Sequence, residues 1–233
     1  AFNKADTSKT KLEQLLQRIA KLKIFDPACG SGNFLIIAYK ELRTLEIEIM
    51  QRIDEITQKP SMAFSQIYLN NFYGIEIDDF AHEIAKLSLW LAEHQMNMVF
   101  EKAFGRTMPA LPLKDAGKIV CANACRIDWE QVCPKQPEDE IYILGNPPYL
   151  GFSLQNTVQK FDLQLIIGKT TKLDYISCWF IKASQYINLT KIKVALVSTN
   201  SICQGEQVEL LWSILSNYSI EIFFCHTSFK WEN

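Results

Sequence analysis

The sequence lacks the features that mark membrane, secreted and disordered chains. The apolar run "FLIIAY" at residues 34–39 is far shorter than the roughly 20 residues of a membrane-spanning helix, and the N-terminus has no apolar signal-peptide core. The seven cysteines are odd in number and scattered, which favours reduced thiols over a disulfide framework. No like-charge block or low-complexity tract indicates a disordered tail. We therefore expect a cytoplasmic, globular protein without membrane contacts.

The sequence also lacks an excess of positive charge. Lysine and arginine number 24 against 26 acidic residues, which gives a net charge of -2 and a pI of about 6.0. This balance is not typical of a domain that grips a polyanion by itself. The hydrophobic content of 48% over 233 residues is sufficient for the core of one large α/β domain or two small ones.

Several common motifs are missing. The glycine-containing stretch "DPACGSGNF" is not G-x-G-x-x-G, and no Gly-Lys-Ser/Thr follows it, so the usual phosphate-cradling loops fit poorly. Cys121, Cys125 and Cys133 have no CxxC pair or nearby histidine, so we expect no metal site.

What the sequence does contain is an alternation of strand and helix patterns. Apolar spacing and short apolar runs predict helices at 8–21, 34–58, 78–96, 174–187 and 205–217, and strands at 23–26, 71–78, 118–123, 141–146, 192–200 and 220–225. The proline-bearing stretches 106–117 and 133–139 are expected to be loops. The alternation predicts an α/β fold with a doubly wound, mostly parallel sheet that is covered on both faces.

Polar residues follow the first predicted strand, where ligands bind in such a sheet. Gly30 and Gly32 have no Cβ, so the backbone can turn sharply and approach a ligand closely before the next helix begins. Asp26, at the end of the strand, is placed to accept from a cationic amine or to orient a water. Taken alone, two glycines in a turn between a strand and a helix are about as well explained by a structural role as by a functional one.

The next two strand ends also carry candidates. Glu76 closes the second strand, where an acid can take both hydroxyls of a ribose. After the third strand come Asn123 and Asp128, and either side chain can bond an adenine edge. Each of the three also has a simpler reading, Glu76 as a neighbour of a helix N-cap and the other two as turn residues.

The fourth strand ends in "GNPPY", which is stiffer than a simple turn requires. Pro147 restrains Asn146 to extended geometry, and Pro148 restrains Pro147 in the same way. The Asn146 side-chain oxygen and the Pro147 carbonyl then form a fixed pair of acceptors beside the aromatic ring of Tyr149. Two such acceptors suit the two hydrogens of an –NH₂ group on a planar ring, which Tyr149 can stack against. Holding both hydrogens out of the ring plane would localise the nitrogen lone pair and aim it at an electrophile.

Together, "DPACGSGNF" and the later "NPPY" resemble the S-adenosylmethionine-dependent N6-adenine DNA methyltransferases with the gamma order of motifs. Further stretches, "NACRIDW", "DYISCWFIKA", "STNSICQGEQV" and "FFCHTSFKW", resemble the methyltransferase region of MmeI-like fused restriction–modification enzymes. The resemblance covers nearly the whole chain. It implies a Rossmann-like class I methyltransferase fold, here truncated before the last strand.

The resemblance also assigns roles to individual residues. Those implied to bind the cofactor S-adenosyl-L-methionine are Asp26, Ala28, Gly30, Gly32 and Phe34 at its methionine end, Glu76 at the ribose, and Ile77 and Asn123 at the adenine, with Asp128 as the alternative to Asn123. Those implied to hold a flipped-out target adenine are Asn146, Pro147, Pro148 and Tyr149.

The implied organisation is a single catalytic domain over 1–233. It comprises an N-terminal helix (1–22), a cofactor-binding half (23–128) and a catalytic half (129–233). The implied partner is double-stranded DNA, read for its sequence by a target-recognition region outside this chain. The alternatives are a protein-glutamine N5-methyltransferase, which also uses Asn-Pro-Pro-Tyr, and a non-catalytic binding subunit of the same fold.

Overall fold

The computed structural model describes residues 8–60, 64–106 and 117–226, and its centre is a five-stranded parallel sheet. The strands are β1 (Lys23–Asp26), β2 (Phe72–Glu76), β3 (Lys118–Cys121), β4 (Ile141–Gly145) and β5 (Lys193–Leu196). Their spatial order is β3-β2-β1-β4-β5, and each neighbouring pair is parallel.

Seven α-helices precede, connect and follow these strands in the described part of the chain. They are α1 (Lys9–Ala20), α2 (Asn33–Thr57), α3 (Asp79–Phe104), α4 (Trp129–Val132), α5 (Thr157–Ile167), α6 (Ser177–Ile187) and α7 (Glu206–Leu215). Within these described ranges, no helix combines the length and the apolar character needed to cross a membrane.

The helices cover both faces of the sheet. Adjacent residues of β1 show this, because Ile24 belongs to a core cluster with residues of α1, α2 and α3, while Phe25 belongs to a second cluster with residues of α4, α5, α6 and α7. Successive side chains of a strand point to opposite faces, so a strand between two helical layers is apolar throughout. The predicted doubly wound, parallel α/β fold is confirmed.

Three elements differ from the sequence predictions, and one of them is the short helix α4, which was not predicted. Residues 220–225 were expected to form a sixth strand, and this prediction is wrong. Ile222, Phe223 and Phe224 are exposed there, because β-forming residues make a strand only when a neighbouring strand is positioned to pair with them. Helix α5 was not predicted. Its sequence signals are the Asn156–Gln159 capping box before it and Gly168 after it.

The predicted loops have different outcomes. Residues 133–139 contain no helix or strand, as expected, whereas 107–116 lie outside the described residues.

The strand order reverses at β1. From there the chain proceeds through β2 and β3 to one edge of the sheet, then returns to place β4 and β5 on the other side. The crevice at such a switch point, outside the carboxyl ends of β1 and β4, is where ligands bind in doubly wound sheets. Asp26 and Gly145 are the last residues of these two strands.

Candidate active site

The candidate residues follow the strand order along one edge of the sheet. Asn123 comes after β3, Glu76 ends β2, Asp26 ends β1 and Asn146 comes after β4. Neighbouring strands are about 4.8 Å apart, so this row extends over about 14 Å. The sheet therefore presents four polar side chains in a line, which suits an elongated ligand.

The turn after β1 is held against β2. The Cys29 N–H donates to the Ile75 carbonyl at 3.0 Å, and the Gly32 N–H closes the turn on the Cys29 carbonyl at 2.8 Å. Gly30 and Gly32 both have positive φ, at 53° and 88°. A Cβ on Gly32 would also lie 3.3 Å from the Ala85 backbone of α3, so this position needs glycine for two reasons.

Glu76 is bonded to the glycine turn. Its Oε2 accepts from the Gly30 N–H at 2.8 Å, and its Oε1 accepts from the Ile77 and Asp78 N–H groups, each at 2.8 Å. The carboxylate thereby fixes the ends of β1 and β2 relative to each other, and it also lines the cavity described below.

Asp26 is almost completely buried and only half satisfied. Its Oδ1 accepts from the Ala28 N–H at 3.0 Å, while its Oδ2 has no hydrogen-bond partner within the described structure. Burial raises the pKa of Asp26 from 3.8 to about 7, with a smaller contribution from the negative charge of Glu76. A carboxyl in this state gains from a cation brought close to it.

The segment after β4 offers an unused acceptor. Asn146 Oδ1 is buried and has no hydrogen-bond partner among the residues that the structure describes, and the residue lines the cavity. Pro147 is buried, whereas Pro148 and Tyr149 are exposed. Leu150 anchors the segment, because its N–H donates to Asp174 Oδ1 at 2.8 Å and its carbonyl accepts from the Tyr175 N–H at 3.0 Å.

The structure distinguishes between the two candidate residues that follow β3. Asn123 lines the cavity, with its Oδ1 accepting from the Cys125 N–H at 2.8 Å. Asp128 does not line the cavity and is exposed, and its side chain accepts from the Glu130 N–H at the start of α4. The geometry therefore favours Asn123 and gives Asp128 a helix-capping contact.

A cavity of about 510 Å³ lies over this edge of the sheet. Among the predicted site residues it brings together Ala28, Gly30, Glu76, Ile77, Asn123, Asn146 and Pro148. Its lining does not include Asp26, Gly32, Phe34, Asp128, Pro147 or Tyr149. Its volume falls within the range usual for sites that hold a cofactor.

The other wall of the cavity comes from helices that the sequence analysis did not connect to the site. Asn156, Val158, Gln159 and Asp162 belong to α5 and its N-cap, and Tyr175 and Trp179 belong to α6 and the turn before it. The Trp179 indole N–H donates to the Pro27 carbonyl at 3.0 Å, which ties α6 to the turn after β1. The capping box could have indicated α5, but no local pattern indicates that its Asp162 faces the strand ends.

The fold and the residues at the strand ends together define a Rossmann-like methyltransferase domain. Comparison with known proteins specifies the family. Residues 2–233 match the family described as the DNA-methyltransferase domain of MmeI, and the chain belongs to that family.

Individual relatives agree with this assignment. DNA methyltransferase A of Bacillus subtilis strain 168 is 54% identical over 232 residues, which are 96% of this chain and 26% of that protein. The solved structure of the type IIL restriction–modification enzyme MmeI in complex with DNA matches with a TM-score of 0.90 and 42% identity, covering 100% of this chain and 32% of that one. The adenine-specific methyltransferase BrxX of Escherichia coli O9:H4 strain HS is 34% identical over 74 residues, 32% of this chain and 6% of that protein. The chain thus spans about a third or less of the length of each of these proteins.

Proposed function

We propose that this chain is a catalytic domain that transfers a methyl group from S-adenosyl-L-methionine to N6 of an adenine turned out of double-stranded DNA. Residues 1–233 form one domain, in which the half 23–128 contains the cofactor-binding strand ends β1 to β3 and the half 129–233 contains the residues that hold the target base. The observation that carries the proposal is the buried Oδ1 of Asn146 in the wall of the cavity, which no described residue of the chain hydrogen-bonds. An unsatisfied buried acceptor costs about 1–3 kcal/mol, so it suits a site where a ligand completes the bond.

The residues in and directly beneath the cavity fit the proposed cofactor from end to end. Asp26, half satisfied and buried beneath the cavity beside the glycine turn, suits the cationic methionine end. Glu76 suits the ribose, because a carboxylate has about four lone-pair sites and backbone N–H groups use three, which leaves one to accept from a ribose hydroxyl. Asn123, two strands from Asp26, suits the adenine ring.

The residues after β4 act on the target amine. The bound cofactor supplies an electrophilic methyl group on a positively charged sulfur. Asn146 Oδ1 and the Pro147 carbonyl accept the two amine hydrogens, which turns the nitrogen lone pair towards that methyl group. Tyr149, exposed and outside the cavity lining, stacks on the base. No side chain has to act as a strong base, so positioning and electrostatics supply the rate.

The relatives support adenine in DNA, and not the glutamine side chain of a protein, as the acceptor of the methyl group. The family is one of DNA-methyltransferase domains, and the name of the partially matching BrxX protein specifies adenine. DNA is the proposed partner, and a base in a duplex must leave the stack to reach such a site. With 24 basic and 26 acidic residues, this domain contributes little phosphate attraction, so sequence-specific binding requires further protein regions.

The test uses labelled cofactor and an adenine that is already accessible. The protein is incubated with S-adenosylmethionine carrying a deuterated methyl group and with duplex DNA in which adenines face abasic sites. A parallel sample contains a glutamine-bearing protein substrate. We expect deuterated N6-methyladenine after digestion of the DNA, and none with Asn146→Ala. Label on cytosine N4 or on the protein substrate alone would contradict the proposal.

A further inference from the structure

Asp162 is a buried carboxylate that joins three side chains at the β3 end of the cavity. Its Oδ1 accepts from Arg126 Nε at 2.6 Å, and its Oδ2 accepts from Asn123 Nδ2 at 3.0 Å and from the Tyr175 hydroxyl at 2.9 Å. Only 1% of Asp162 is exposed to solvent, and yet it lines the cavity. A carboxylate has about four lone-pair sites, so these bonds leave one acceptor site on Oδ1.

The same contacts fix the orientation of the Asn123 amide. Its oxygen must face the Cys125 N–H, which can only donate, and its nitrogen must face the Asp162 carboxylate, which can only accept. One Nδ2 hydrogen is used in the bond to Asp162, and within the described structure the other makes no hydrogen bond. Asn123 therefore offers a donor to the cavity, and its neighbour Asp162 offers an acceptor.

A donor beside an acceptor matches one edge of adenine. The exocyclic 6-amino group of adenine donates, and the adjacent ring nitrogen accepts. Hypoxanthine and guanine have the opposite pattern at these two atoms, with a carbonyl and a ring N–H. Two side chains held 3.0 Å apart by their own hydrogen bond can therefore distinguish these bases.

We propose that Asp162 is a cofactor-specificity residue, which accepts a hydrogen bond from the 6-amino group of the cofactor adenine while it holds Asn123 as the donor to the adjacent ring nitrogen. This inference rests on the proposed use of S-adenosylmethionine and names the readout of its base. Arg126 keeps Asp162 in place from the far side, because its guanidinium bonds Oδ1 and stacks over Phe161 with 5.6 Å between its central carbon and the ring centroid.

The experiment measures binding of two ligands by calorimetry. One is S-adenosylhomocysteine, and the other is its analogue with hydrogen in place of the 6-amino group, which leaves the ring nitrogens as acceptors. The proteins are the wild type, Asp162→Asn, and Asp128→Asn as a matched control. Asp128 is an acid near Asn123 in sequence whose side chain caps α4 outside the cavity.

We expect the wild type and Asp128→Asn to bind the adenosyl ligand at least about tenfold more tightly than the analogue, as in sites built to bond a polar group. In Asp162→Asn the ratio of the two affinities should fall towards one. If Asp162 had only a structural role, the substitution would weaken binding of both ligands equally and leave this ratio unchanged, and that result would overturn the inference.

The wild-type comparison also decides the matter by itself if Asp162→Asn fails to fold. Equal wild-type affinities for the two ligands would overturn the adenine readout and leave the proposed cofactor intact. Absence of binding to either ligand would overturn the proposed cofactor and the readout together.

Discussion

Asp26 and Gly145, the last residues of the neighbouring strands β1 and β4, lie in direct contact, since a Cβ on Gly145 would lie 2.6 Å from Asp26 Oδ1. No real Cβ tolerates that distance, so the carboxyl of Asp26 occupies the space that a side chain at 145 would need. The glycine of "GNPPY" is therefore required by the aspartate of "DPACGSGNF". The two sequence motifs are coupled by packing at the switch point of the sheet.

This contact predicts the effect of a single methyl group. Gly145→Ala should lower the free energy of unfolding by about 1–3 kcal/mol, the usual cost of overpacking. Gly151→Ala is the matched control, because a Cβ there meets nothing within 4 Å and its φ of -57° suits alanine. Urea denaturation of both variants provides the measurement.

A double variant tests whether the loss of stability in Gly145→Ala comes from the contact with the Asp26 carboxyl. In an Asp26→Ala background Gly145→Ala should cost much less, because residues that share a contact are not additive. An equal cost in both backgrounds would show that the strain lies elsewhere.

The buried carboxyl of Asp26 also predicts a pH dependence of stability. Its pKa rises from 3.8 to about 7 on folding, chiefly through burial. The folded chain therefore binds the proton more tightly, so the contribution to stability is full below about pH 4, falls as the pH rises and is lost above pH 7. The difference between the two pKa values amounts to about 4 kcal/mol.

Asp26→Asn should remove this dependence. The unfolding free energy of the variant minus that of the wild type should increase by about 2–4 kcal/mol between pH 4 and pH 8. Asp128→Asn is the control, because asparagine caps a helix as well as aspartate does and Asp128 is exposed. A constant difference across this pH range for Asp26→Asn would contradict the prediction.

The parts of the candidate site that could be predicted from the sequence are those encoded locally. Gly30 and Gly32 precede a long amphipathic helix, and Glu76 ends an apolar strand, so each is placed by its immediate neighbours. The order of the strands then brings them together, as a parallel sheet requires.

The parts that were missed depend on long-range packing. Asp162 is 39 positions from Asn123, and the bond between them exists only because α5 folds back over the β3 end of the sheet. The wrong prediction of a strand at 220–225 also results from long-range structure that a local pattern does not reveal. These residues favour β structure locally, but strand formation depends on a pairing partner that composition does not reveal.

Substitution of Glu76 should lower both the affinity for the cofactor and the stability of the fold. Glu76→Ala leaves the N–H groups of Gly30, Ile77 and Asp78 without their acceptor. It should weaken binding of S-adenosylmethionine by about 1–3 kcal/mol through loss of charge-assisted bonds, and should lower the unfolding free energy by a similar amount. Calorimetry and urea denaturation measure the two effects.

Glu83→Ala serves as the control for Glu76. Glu83 is an exposed acid of α3 that pairs with Lys86 at 3.4 Å, and surface pairs contribute little. Unchanged cofactor affinity in Glu76→Ala would exclude the ribose role.

Substitution of Asn146 should affect methyl transfer but not cofactor binding. Asn146→Ala removes the buried, partnerless Oδ1 and leaves Glu76 and the glycine turn untouched. Cofactor affinity should stay within a few-fold of wild type, whereas methyl transfer to an accessible adenine should fall by about 10²-fold or more, as when a preorganised polar group is removed from an active site. The chain offers Asn188→Ala as a control, because Asn188 lies just after α6, away from the cavity lining, and its Oδ1 accepts from the Ser219 N–H at 3.0 Å. Single-turnover rates measured with saturating cofactor isolate the transfer step. A rate for Asn146→Ala within a few-fold of that for Asn188→Ala would mean that Asn146 does not hold the target amine.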